Sequence, residues 1–348
     1  MRDEEQRKRH EMKNKLKTNL NQVCGLFVLL FLLIPHPSSL IPGLAEAAEY
    51  PTRPIRLVVP YPPGASTNDI LGRALAIRLT TALGQQVVVD NRPGASGTIG
   101  SELVTKAPPD GYTLLAAIQS PLALGPSMYE KLGFDPIKDL ALVARYAAIP
   151  YAMVVTNSLP AKNIQELIAL AKAKPCQLNF ASSGVGGTPH MCSELFKRQA
   201  GIDIIHIPYK GAGEAVPAVI GGQVPIFCTG LTALTNQIKA GKVRALGIAT
   251  LKRSQLMPEL PTIAEQGLPG FEVVSWTGVA APAKTPPAIV RKLYDVIAKV
   301  VNTPDMQSFM ASQGAEVALM GPEEFTAYVK ADIVRWSKVV KAAGIKGE

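Results

Sequence analysis

Ile55–Leu83 reads IRLVVPYPPGASTNDILGRALAIRLTTAL, and it decides the fold. Its opening, Ile55 to Pro60, is a short apolar run with β-branched residues, the pattern of a buried strand. Its close, Asn68 to Leu83, sets Ile70, Leu71, Ala74, Leu75, Ile77 and Leu79 at helical spacing. Between them lie turn residues and then Ser66, Thr67, Asn68 and Asp69, all able to cap a helix start. The same strand–loop–helix grammar recurs along the chain. Strands are predicted at 87–89, 113–118, 152–156, 178–182, 204–207, 225–229 and 243–249. Helices are predicted at 164–173, 191–200, 214–220 and 231–240. The alternation predicts an α/β fold with parallel sheets covered on both faces. From Ile289 the pattern turns helical, over 289–302, 304–313 and 322–343. Such a layout predicts two domains crossed twice: residues 48–150 with 277–348, and residues 151–276.

The chain has 348 residues, 47% of them hydrophobic, enough for about two domains. Residues 1–47 have the form of a secretory signal: a basic start, the apolar run Val23–Ile34, then small residues to Ala47. Twelve apolar residues are too few to span a bilayer, which needs about 20. Met12 offers a second start. Removing the leader lowers the formal charge from +9 to +7, since it holds 7 basic and 5 acidic residues. This positive charge is diffuse and suits steering of small anions, not a nucleic-acid patch. Cys176, Cys192 and Cys228 allow at most one bridge, and no C-x-x-C pair supports a metal. His190 and His206 are the histidines left to any metal or triad chemistry, and no metal or cofactor is expected.

Three Gly- and Ser-rich loops follow predicted strands: Pro60–Asp69, Ala181–His190 and Pro208–Glu214. Loops at strand ends are where open α/β sheets bind ligands, and helix starts there suit anions. Nucleotide motifs fail. Gly184-x-Gly186 meets Pro189 where a third glycine belongs, no loop ends in Gly-Lys-Ser/Thr, and 91–100 reads as a turn before a helix. No G-x-S-x-G elbow is present. An enzyme acting on a carboxylate would have to use His190 as its acid–base. A structural module of the envelope is the other rival.

Nine phrases in register carry a resemblance over about 50–344. They include YPTRPIR (50–56), VPYPPG (59–64), VDNRPGA (89–95), PDGYTL (109–114), SSG (182–184) and IPYKG (207–211). GGQV (221–224), KAGKVRAL (239–246) and LPTIAE (260–265) complete them. In these the chain resembles the periplasmic solute-binding proteins of tripartite tricarboxylate transporters, the Bordetella uptake gene (Bug) family. The resemblance implies a two-domain periplasmic-binding-protein (Venus flytrap) fold, type II-like, with the ligand cleft between domains. It implies a periplasmic protein that takes a mono-, di- or tricarboxylate, aromatic ones included, and serves a membrane permease or a sensor as a monomer. Carried over by position, the ligand-binding set is Gly64, Ala65, Ser66, Asp69, Ser182, Ser183, Gly184, Thr188 and His190. Gln119 and Ser120 join it from the hinge side, and Cys228 from a strand end among the loops, where a buried thiol is expected.

The chain departs from the family pattern in three places. Gly64-Ala65 stands for the usual Gly-Gly. Asn68 precedes an Asp69 that comes one place late. Pro225–Cys228 replaces a phrase that usually carries an acid. A ligand amine would lack that acid, so the departures point away from amino acids toward simple or aromatic carboxylates.

Overall fold

Ile55–Val59 (β1) is buried at four of its five residues. It lies between Val87–Asn91 (β2) and Thr113–Ile118 (β3), both parallel to it. A strand covered on both faces and both edges has no use for polar alternation, which explains its apolar run. Thr67–Leu83 (α1) joins β1 to β2 and stops at Gly84, whose φ of 66° is left-handed. Thr98–Thr105 (α2) joins β2 to β3. The computed structural model describes residues 4, 7–12, 50–64 and 66–346. Residues 51–348 form one compact unit. Most of the predicted leader, and Ala65, lie outside the described residues.

After β3 come the π-helical turn Ser120–Leu124 and the short Gly125–Met128 (α3). Leu140–Val155 (β4) then runs through the middle of the molecule. Ile164–Ala173 (α4), Asn179–Ser182 (β5), Thr188–Ala200 (α5), Ile205–Pro208 (β6), Ala212–Ile220 (α6) and Ile226–Gly230 (β7) follow. Leu231–Lys239 (α7) and Arg244–Ile248 (β8) continue this half. Val274–Pro282 (β9), Pro287–Val301 (α8), Pro304–Ser312 (α9), Glu316–Met320 (β10) and Pro322–Ala343 (α10) return the chain to β4.

The strand order is β2-β1-β3-β9-β4-β7-β5-β6, with β8 and β10 also on β4. Each half repeats one plan: three parallel strands, then an antiparallel strand supplied by a crossing segment. In the first half the triplet is β2-β1-β3 and the antiparallel strand is β9. In the second it is β6-β5-β7, and β4 is antiparallel. The sheets are therefore mixed, a correction to the expected all-parallel sheets. A strand that leaves one sheet for the other enters against the direction of the βαβ units it joins. β4 is also far longer than the 152–156 expected. It pairs with β9 up to Pro150↔Val274 and with β7 from Tyr151↔Gly230. Neither β9 nor β10 was anticipated from the pattern.

Candidate functional site

Five helices start at one place. Their N-caps are Ser66 (α1), Gly97 (α2), Gly187 (α5), Gly211 (α6) and Gly230 (α7). All five line a single cavity of about 930 Å³. Only Ser66 caps with its side chain, its Oγ accepting from Asp69 N at 3.2 Å. The four glycines offer no side-chain cap; Thr98 N of α2 donates to Ala95 O, Glu214 N of α6 donates to Gly211 O and Pro189 of α5 has no N–H, and the remaining first-turn N–H groups of these helices are left to a ligand or water. Partial positive charge at each start adds to the same effect. No carboxylate and no arginine lines the cavity; Lys210 and Lys242 are its charged side chains among the described residues. Hydroxyls complete the wall, among them Thr67, Ser96, Ser120, Ser183, Thr188 and Ser275.

The first loop is shaped from behind by Asp69. Its carboxylate accepts from Gly64 N at 2.7 Å, Asn91 Nδ2 at 2.7 Å and Arg73 Nε at 2.9 Å. Asn91 Nδ2 also donates to Tyr61 O at 2.8 Å, so the loop is held at two points. Burial alone would raise the Asp69 carboxyl, but the bonds from Arg73, Asn91 and Gly64 outweigh it and hold it below its ordinary value. Its negative charge is thus spent inside the loop. Asn68, the additional residue, is buried, and its Nδ2 donates to Thr277 Oγ1 at 2.8 Å, tying α1 to β9.

The second loop stands on two stacked imidazoles. The rings of His190 and His206 lie 3.8 Å apart at 12°. His206 Nε2 bonds Ser182 Oγ at 2.6 Å, and Ser182 Oγ accepts from Gly184 N at 3.1 Å. His190 Nδ1 accepts from Gly186 N at 3.1 Å. Burial, with each ring also repelled by the positive charge of Lys197, pushes His190 down to about 3 and His206 to about 4. Both are neutral near pH 7. Gly186 takes a left-handed φ of 74°, a conformation that favours glycine, and the Met128 side chain of α3 packs against it. Cys192 of α5 is bridged to Cys228 of β7, with Cα atoms 6.0 Å apart, and Cys176 is free and exposed. The buried thiol expected at Cys228 is therefore corrected to a disulfide, because α5 packs its first turns directly on β7.

Gln119 and Thr188 meet, both buried, between the two halves. Thr188 Oγ1 donates to Gln119 Oε1 at 3.2 Å, while Gln119 Nε2 donates to Asp332 Oδ2 at 2.8 Å and Val274 O at 3.2 Å. Trp276 Nε1 donates to the same Asp332 oxygen at 2.8 Å. Thr67 and Thr232 share a hydrogen bond between hydroxyls, and Ser96 Oγ donates to Val185 O at 3.4 Å, again from half to half. Ser120 Oγ, on a residue 5% exposed, has no hydrogen-bond partner among the described residues. It nonetheless sits near enough to Tyr61 to offset part of the burial that pushes that phenol up to about 12.

Of the residues expected to bind ligand, Gly64, Ser66, Ser120, Ser183 and Thr188 line the cavity together. Asp69, Gln119, Ser182, His190 and Cys228 are buried outside its lining, and Gly184 is half-buried and also outside it. The sequence reading missed Tyr61, Thr67, Ser96, Tyr151 and Thr232. Ser96 belongs to the 91–100 stretch read as a turn before a helix, and that helix start lines the cavity as the others do. Tyr151 sits inside a strand and carries no local signal. Among the described residues no group of three or more His, Cys, Asp or Glu side chains could hold a metal ion, and no helix is long and apolar enough to cross a membrane.

The family described as tripartite tricarboxylate transporter family receptor matches residues 71–345. The chain is 36% identical over 330 residues to Protein BugT of Bordetella pertussis, covering 94% of this chain and 98% of that one. Its structure is similar to R. palustris Rpa4515 with adipate, at TM-score 0.80 and 38% identity, covering 85% of this chain and 99% of that one. It is also similar to MatC from Rhodopseudomonas palustris with bound malate, at TM-score 0.76 and 31% identity, covering 84% and 100%.

Proposed function

We propose that this chain, which belongs to the tripartite tricarboxylate transporter receptor family, is a periplasmic solute-binding protein that captures a small carboxylate by closing two lobes around it. The carrying observation is the convergence of five helix starts, four without side-chain caps, on a cavity that no acid lines among the described residues. Such a site compensates a carboxylate with neutral donors already in place. Adipate and malate in two similar structures agree with that chemistry.

The first lobe is residues 48–150 with 277–348 and the second 151–276, hinged where β4 changes partners beside Pro150. Gly64, Ser66, Ser120, Ser183 and Thr188 touch the ligand. Asp69, Gln119 and Ser182 hold those groups in place, and Gly184, His190 and the Cys192–Cys228 bridge support the second lobe's loop. Closure is a population shift driven by tighter binding to the closed form. The closed form is then read by a membrane permease or a sensor. Residues 1–47 direct export and are removed.

A receptor, not an enzyme, is what the family describes. His190 in any case suits no acid–base task near pH 7, being neutral and bonded to Gly186 N. Calorimetric titration of the purified protein with malate and adipate tests the proposal. Saturable binding of at least one short carboxylate is expected. Folded protein that takes up no short carboxylate would refute it.

A further inference from the structure

The cavity does not end at the helix starts. It continues along α6, where Gly213, Val216, Pro217 and Ile220 line it at steps of three and four residues, one face of the helix. Ala233 and Gln237 of α7 form the opposite wall. At the far end stands Lys242, whose ammonium has no ion-pair partner among the described residues. The wall is mainly apolar: Val216 is buried, and Ile220 and Ala233 pack partly buried on the second lobe's core. Pro217 lacks an N–H, which leaves the Gly213 carbonyl without its helical partner and keeps the start of the groove open to a polar group.

The eight steps from Gly213 to the C-cap Gly221 span about 12 Å at about 1.5 Å each. An extended chain advances about 1.2 Å per bond, so about ten bonds cover that distance. We infer that the cleft takes an elongated α,ω-dicarboxylate, with one carboxylate at the helix starts, an unbranched apolar chain between α6 and α7, and the second carboxylate at Lys242. The inference rests on the carboxylate reading of the cleft and adds the length and second charge of the ligand. Charge argues for this occupant: one end of the groove is a cluster of positive helix starts, the other a lysine, and no acid among the described residues lines it between them.

The test is calorimetry with unbranched α,ω-dicarboxylates of four to twelve carbons and with monocarboxylates of equal length. Beyond six carbons affinity should rise about two- to fourfold per methylene, the yield of half to full burial, and level near twelve. At ten to twelve carbons the diacid should exceed the monoacid. Lys242→Gln, an exposed change, should remove that excess and leave four- and six-carbon acids unaffected. Ala233→Glu should block the long acids alone. Affinity that peaks at four to six carbons and then falls, or a Lys242→Gln variant silent at every length, overturns the inference while short-acid binding leaves the cleft reading standing. Failure of every acid at every length overturns both.

Discussion

Thr188 Oγ1 donates to Gln119 Oε1 at 3.2 Å, and through this bond a helix start on one lobe meets a strand end on the other. The Gln119 amide cannot turn over without loss, because its Nε2 already serves Asp332 and Val274 O. Thr188→Val should therefore weaken carboxylate binding by about tenfold, since an orphaned buried acceptor costs about 1–3 kcal/mol and arises in the closed form. Calorimetry on the variant checks this; unchanged affinity would remove the bond from the closing contacts.

Ser120 is the reverse case. Its Oγ is buried at the cavity wall without a hydrogen-bond partner among the described residues and acts only on the Tyr61 phenol, so the ligand-free protein loses little when it is removed. Ser120→Ala should hold the melting temperature or raise it slightly, and should weaken ligand binding by about two- to tenfold, the net worth of one hydrogen bond. A variant that binds normally would show that this hydroxyl does not face the ligand.

Acid should unfold the protein by a predictable route. His190 and His206 are held at about 3 and about 4, below the ordinary histidine value of about 6.5. The folded form prefers both neutral, so their contribution is fully present above about pH 6.5 and lost as pH falls toward those values. Asp69, held below its ordinary value, contributes above about pH 3.9 and loses that contribution as pH falls further. Melting temperature measured from pH 8 to pH 4 should fall below about pH 6.5, and His206→Gln should flatten the slope. A wild-type profile flat to pH 4 would contradict the buried stack.

The Cys192–Cys228 bridge closes a span of 36 residues and should stabilise the fold by about 3–4 kcal/mol on loop entropy. The double alanine variant should melt well below the parent, whereas Cys176→Ser should not change the melting temperature. Thiol titration of the unfolded mature protein, without reductant, should find one free thiol. Three thiols would contradict the bridge.

Most of the layout is legible because local pattern and burial coincide. Ile55–Val59 is apolar since it is covered on every side, and α1 ends at Gly84 since only glycine turns left-handed there without cost. The loops before α1, α5 and α6 announce themselves by small hydroxyls and glycines after a strand. The crossing strands do not. β4 runs 16 residues through both sheets, nearly all buried, so neither alternation nor length marks where it changes partner. Tyr151 is part of the site because β7 and β4 pair, which no local window contains. Asp69 shows the other limit: an acid in a binding loop reads as a ligand group until its three donors are seen to consume it.

The most direct test of the account is a thermal-shift comparison of short carboxylates with their matched neutral amides. Binding to the folded state alone stabilises by about 2.7 kcal/mol at a ligand concentration of 100 Kd. The helix-start site predicts an upward shift with an acid and none with its amide, because the uncapped N–H groups and positive dipole ends favour the anion. Equal shifts with acid and amide, or shifts with neither across the series, would contradict carboxylate capture at the five helix starts.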